Sequence, residues 1–262
     1  MTGDVFHSFF WHGGVLTDPA LRDAHAELMS PTGRDAYRDA FRIMLHSGHP
    51  MAVGVALDHF QHADALTRFG GTSALGEGDV LEAARGQLRL PPVAGGASHA
   101  SALNAMMNLA QPEDMDLIAA CLAVATDINV RLAASMAAHN ALRTASAGHA
   151  GLVAELGKVA FDESLDADER ADALAALGES RAPEAVALLV RGAESAVFEL
   201  EVRAAWNLVD HDAHLDLVRR VVAGWPEDAR YPAGEVRDAL HEREVSRGSG
   251  GNGDGIGDRG GS

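Results

Sequence analysis

The stretch FELEVRAAWNLVDHDAHLDLVRRVVAG, residues 198–224, decides the fold class. Val202, Ala205, Trp206 and Val209 recur at the i, i+3, i+4, i+7 spacing of one helical face, and Leu215, Val218, Val221 and Val222 repeat the pattern after a polar turn. Two narrow apolar stripes cannot shield themselves from water, so this helix pair must stack on something like itself.

Similar segments occur on both sides of it. DINVRLAASMAAHNAL (127–142), DADERADALAAL (166–177), ELEVRAAWNLV (199–209) and AGEVRDALHE (233–242) each place an arginine near the start of an Ala/Leu-rich helix. Arg131, Arg170, Arg203 and Arg237 are separated by 39, 33 and 34 residues, within the period range of helical solenoids. Partner helices lie between them, in HAGLVAELGKVAF and in APEAVALLVRGA, whose Pro183 suits a first helical position. Asp127, Asp166 and Glu199 each stand four residues before an arginine, a spacing that supports a helix locally or could ladder between stacked units.

The acid, the VR or ER dipeptide and the Ala/Leu helix that follows resemble the HEAT-repeat family, in particular the short bacterial HEAT-like repeats also found in phycobilisome lyases. The resemblance spans residues 112–245, about half the chain. The fourth copy departs from it with Ala233 in place of the acid, and the 39-residue interval implies an insertion. It implies an all-α fold, a right-handed α-solenoid of stacked antiparallel helix pairs. Arg-bearing helices would line a concave face, where Glu169, Asp172, Glu201, Asn207, His211 and Asp238 would form an acidic, partner-binding surface. The competing reading of that face is a solvated surface kept polar for solubility.

Composition limits the partners. The 262-residue chain carries a net charge of −17, which disfavours phosphate backbones and anionic lipid, because such binding neutralises charge with Lys and Arg. No stretch approaches the apolar length of a membrane span, and MTGDVFHSFFWHGG lacks the basic start and apolar run of a signal peptide. A cytoplasmic protein is expected. Cys121 is the single cysteine and sits in the apolar run LIAACLAVA, so it reads as a small hydrophobe rather than a thiolate nucleophile.

The chain then divides into an N-terminal cap at 1–17 with Phe6, Phe9, Phe10 and Trp11, divergent helices at 18–97 broken by Gly-rich loops, HEAT-like repeats at 98–246, and a disordered Gly-rich tail at 247–262. Motifs for chemistry fall short. GTSALGEG has Glu77 and Gly78 where a phosphate loop needs Lys and Ser or Thr. Ser98 beside His99 lacks the strand and second glycine of a nucleophile elbow. His46, His49, His59 and His62, and the pair His211 and His214, have spacings zinc could use but match no closed metal motif. NGDGIGD in the tail lacks the first and last carboxylates of a calcium loop. One His-Glu dipeptide, His241-Glu242, cannot build the di-iron site of HEAT-like hydroxylases.

The resulting expectation is a non-catalytic interaction module without a metal or cofactor, binding another protein, a basic one, through its acidic face. A scaffold, an assembly factor or a toxin-immunity role would fit. The alternative from a different class is a bilin-lyase-like enzyme or chaperone acting on a chromophore-carrying protein, and a third is a nucleic-acid binder, which would need a basic face.

Overall fold

The computed structural model describes residues 16–61, 76–91, 97–146, 149–229 and 231–249. The aromatic residues Phe6 to Trp11, residues 62–75 with His62, the Ser98 side chain and the calcium-like tail motif lie outside the described residues. Among the described residues every regular element is helical: thirteen α-helices and two 3₁₀ turns.

The helices are α1 (Pro19–Met29), α2 (Arg34–Leu45), α3 (Pro50–Gln61), α4 (Glu77–Leu88), α5 (Ala97–Met106), α6 (Met115–Val124) and α7 (Ile128–Thr144). They continue as α8 (Ala150–Ala160), α9 (Ala167–Leu177), α10 (Pro183–Ala193), α11 (Phe198–Leu208), α12 (Leu215–Ala223) and α13 (Ala233–Ser249). Local chemistry sets many of the starts. Pro19, Pro50 and Pro183 occupy first helical positions, where a missing N–H costs nothing. Asp18, Asp127 and Asp166 are N-caps whose carboxylates accept from the N–H groups of Ala20, Asn129 and Glu169.

Packing follows a simple rule along the chain. Each helix packs on its successor, apart from the α5–α6 and α7–α8 steps, and the odd-numbered helices also pack in series, α1 on α3 and so on to α13. The even-numbered helices do likewise from α4 to α12. Two layers result, with the core between them. Ala133, Ala134, Ala137, Ala138 and Ala141 on α7 are essentially inaccessible, as are Ala173 and Ala176 on α9 and Ala204 and Ala205 on α11. Such small side chains let neighbouring helices approach closely, while Leu152, Leu156, Leu174, Leu177 and Leu189 fill the space between layers. A Cβ on Gly192 of α10 would stand 2.9 Å from Leu174 Cδ1 and 3.0 Å from Ala204 Cβ, so α9, α10 and α11 meet where only glycine fits without a shift.

The apolar pattern is corrected at one position. Trp206 falls on the 3.6-residue stripe of α11 yet remains 37% exposed, because Leu200, Ala204 and Leu208 supply the buried face. Helix α13 also continues past Arg247, the expected start of the tail, to Ser249.

Elsewhere, polar side chains fasten the layers. Arg85 of α4 donates from Nε and Nη2 to the two carboxylate oxygens of buried Asp114, at 2.6 and 3.1 Å, and Asp114 in turn accepts from the Gln111 N–H. The Asn140 amide donates to the Ala110 carbonyl at 2.8 Å, tying α7 to the segment that follows α5. Asp58 on α3 is buried, and burial pushes its carboxyl up to about 6 against a hydrogen bond from Ser101 on α5.

Candidate functional site in the odd-helix layer

The hydrogen-bond partners of the recurring arginines show what they do. Arg131 Nη1 donates to the Ala125 carbonyl at 3.3 Å, Arg170 Nε to the Ala160 carbonyl at 3.1 Å and Arg237 Nη1 to the Ala229 carbonyl at 3.0 Å. Ala125 and Ala160 lie at the C-terminal ends of α6 and α8, and Ala229 lies in the turn after α12. Arg131 and Arg170 therefore reach back to carbonyls left open at the end of the preceding even helix, where a cation also complements the helix dipole, whereas Arg237 holds the turn that follows α12.

The acids four residues earlier have a different task. Asp127 and Asp166 cap their own helices and do not pair with Arg131 or Arg170, while Glu199 is exposed in the first turn of α11. The link between units is made by another residue. Arg131 Nε donates to Glu169 Oε1 at 2.7 Å, joining α7 to α9 with both side chains largely out of water. Glu169, expected on the partner-binding face, is 5% exposed and neutralised by this pair. It cannot serve as a contact residue, because reaching a partner would strand Arg131 in a site built around its charge.

The remaining expected face residues divide in the same way. Asn207 on α11 donates to the Arg203 carbonyl at 2.9 Å and packs its amide directly on Gly178, so it bridges α11 to the end of α9. Glu201 is half-buried, and burial raises its carboxyl against the opposing influence of the Trp225 indole. His211 is half-buried with its ring 6.3 Å from that of His214. Burial, Arg181 and His214 together lower its pKa. Asp238 stands exposed on α13.

Asp172 opens onto a concavity. A cavity of about 370 Å³ runs between the ends of α5, α7 and α9, lined by Met107, Asn108, Ser135, Met136, His139, Asn140, Arg143, Asp172 and Ala175. The Asp172 carboxyl is raised chiefly by burial, partly offset by Arg203 on α11, and no hydrogen bond or ion pair within the described residues satisfies it. Ser135 on α7 is 2% exposed and lines the same cavity. Along α7 the Arg143 guanidinium donates to Asn140 Oδ1 at 2.6 Å, and His139 Nε2 lies 3.0 Å from Glu179 Oε1 beyond the end of α9. Met136 adds an exposed apolar side chain.

A second cavity of about 310 Å³ adjoins at Arg143 and is lined by Ser146, Glu179, Ser180 and Arg181 in the loops after α7 and α9. Together these features form a polar groove on the odd-helix layer. Of the sequence-derived face residues, only Asp172 lies in the groove. His139, Asn140, Arg143 and Glu179 were missed, although His139, Asn140 and Arg143 are visible as polar interruptions of the Ala-rich run LAASMAAHNALR.

Burial pushes the Cys121 thiol up to about 11, away from nucleophilic thiolate. Among the described residues no three His, Cys, Asp or Glu side chains converge as metal ligands. His59 Nδ1 is instead 3.1 Å from the Tyr37 hydroxyl, and His46 Nε2 lies 3.6 Å from Asp79. No described helix is long and apolar enough to cross a membrane. No protein-family model, curated protein or solved structure matches this chain.

Proposed function

We propose that this chain is a HEAT-like, right-handed α-solenoid that binds a partner protein along its odd-helix face, without catalysis. The observation carrying this reading is the groove across α5, α7 and α9, where the half-buried Asp172 carboxyl, held up chiefly by burial, lines an open cavity with Ser135, His139, Asn140 and Arg143. A partly desolvated carboxylate is favoured by a cation that enters beside it, so its position in an open groove lined by polar side chains suits a binding surface. The serial packing of odd helices on odd and even on even supports the stacked-pair architecture. Net charge −17 favours a basic partner, attracted over distance and oriented by the acidic surroundings.

Affinity capture with the full chain and with Asp172→Lys and Asp238→Lys variants tests the reading, followed by binding measurements at two salt concentrations on the protein recovered. A basic protein bound more weakly at high salt and by the Asp172→Lys variant is the expected result. Equal capture by the wild type and the charge-reversed variants would remove the odd-helix face as the binding surface.

A further inference from the structure

The groove has two ends of opposite character, and their separation points to a ligand. Helices α7 and α9 run side by side in parallel, since Arg131 meets Glu169 and His139 meets Glu179 further along both. At one end Asp172 offers a carboxyl and Ser135 a hydroxyl, with Met107 and Met136 beside them to cover an aliphatic stem. At the other end Arg143 and Arg181 line the adjoining cavity with Ser146, and neither guanidinium has a carboxylate partner within 4 Å among the described residues. Two arginines without acids on one small cavity stand out in a chain with 38 acidic residues. Glu179 also faces this cavity but is engaged by His139 at 3.0 Å.

Resting on the partner-binding reading above, we propose that the groove recognises the free carboxyl terminus of a partner polypeptide together with a basic side chain upstream of it. The terminal carboxylate sits between Arg143 and Arg181, and a Lys or Arg reaches Asp172 and Ser135. From Ser135 to Arg143 is eight residues of helix, about 12 Å along the axis at 1.5 Å per residue. An extended peptide covers that distance in three to four residues at roughly 3.3 Å each, which places the basic residue fourth from the end. Arg pairs suit a carboxylate because their planar forks donate in parallel to its two oxygens. The sulfur-lined wall suits the methylene stem of a long basic side chain.

The test uses the full chain and fluorescently labelled octapeptides read by anisotropy. One peptide carries Lys fourth from a free carboxyl terminus, a second is identical but amidated, and a third has Gln in place of Lys. Amidation is expected to weaken binding about tenfold, the scale of a single charge-assisted hydrogen bond. Arg143→Gln and Arg181→Gln should lower affinity for the free acid and leave the amidated peptide unchanged, and Asp172→Asn should erase the preference for Lys over Gln. Melting curves by circular dichroism establish that each variant is folded. Equal binding of free and amidated peptides overturns the carboxylate end, even where Asp172→Asn still weakens the Lys peptide and the broader partner-binding reading stands. No binding by any peptide overturns this inference as a whole, whereas the broader reading falls only if capture is indifferent to Asp172→Lys.

Discussion

Arg131 on α7 and Glu169 on α9 lie 38 residues apart in the chain and meet at 2.7 Å, with Glu169 5% exposed. The pair marks the register between two neighbouring odd helices, and through it the position of Asp172 against the groove. Replacing Arg131 by Met or Glu169 by Leu alone should destabilise the protein by about 3–5 kcal/mol, because each leaves an uncompensated charge in a low-dielectric site. The double replacement should cost far less than the sum of the two single effects. Urea denaturation of the four proteins measures the coupling, and additive single effects would show that the ion pair is not the unit of stabilisation.

Asp58 should make stability fall with rising pH. Its carboxyl is pushed from 3.8 to about 6 by burial, so the folded state holds its proton more tightly than the unfolded state. This contribution is fully present below pH about 4 and is lost as pH rises through about 6, a change of roughly 3 kcal/mol. Asp58→Asn should remove it. The difference in unfolding free energy between wild type and variant, followed from pH 4 to 7, should track that change, and a difference that is flat with pH would show that Asp58 does not titrate as its burial requires.

The role of Asp166 distinguishes a cap from a ladder. Its carboxylate accepts from the Glu169 N–H at 2.9 Å, which Asn can also do and Ala cannot. Asp166→Ala should cost about 1 kcal/mol and Asp166→Asn close to nothing. If an ion pair with Arg170 mattered instead, Asn and Ala would be equally harmful in thermal melts.

Gly192 tests the close approach of α9, α10 and α11. Gly→Ala ordinarily favours a helix, but the added methyl group would stand 2.9 Å from Leu174 Cδ1 and 3.0 Å from Ala204 Cβ. Overpacking of this kind should outweigh the propensity gain and destabilise Gly192→Ala by about 1–3 kcal/mol in chemical denaturation. A more stable variant would mean that α10 can move aside. Gly86 on α4, where a Cβ would meet nothing within 4 Å, supplies the control and should gain from Ala.

The helices were legible in the sequence because their determinants are local. Apolar residues at 3.6-residue spacing, Pro183 at a first helical position and Asp127 and Asp166 as caps act within a turn or two of where they stand. The recurrence of Arg131, Arg170, Arg203 and Arg237 was equally plain, although their spacing could not say whether they faced acids, carbonyls or solvent.

The candidate site was only partly legible. Asp172 could be picked out as polar and off the apolar stripe, but so could Glu169, three residues away, and the two have opposite fates. One opens onto a groove and the other is sealed against Arg131. His139 and Glu179 were invisible as a pair because they stand on different helices, 40 positions apart.

What the chain by itself determined is therefore the set of helices, their starts and the period at which they recur, since hydrogen bonding and capping are settled within each segment. Only the tertiary structure decided which polar residues face one another. That depends on the axial and rotational register of α7 against α9, fixed by alanine-lined contacts and the Arg131–Glu169 pair together, and a shift of one residue rotates a helix by about 100° and would exchange groove for core.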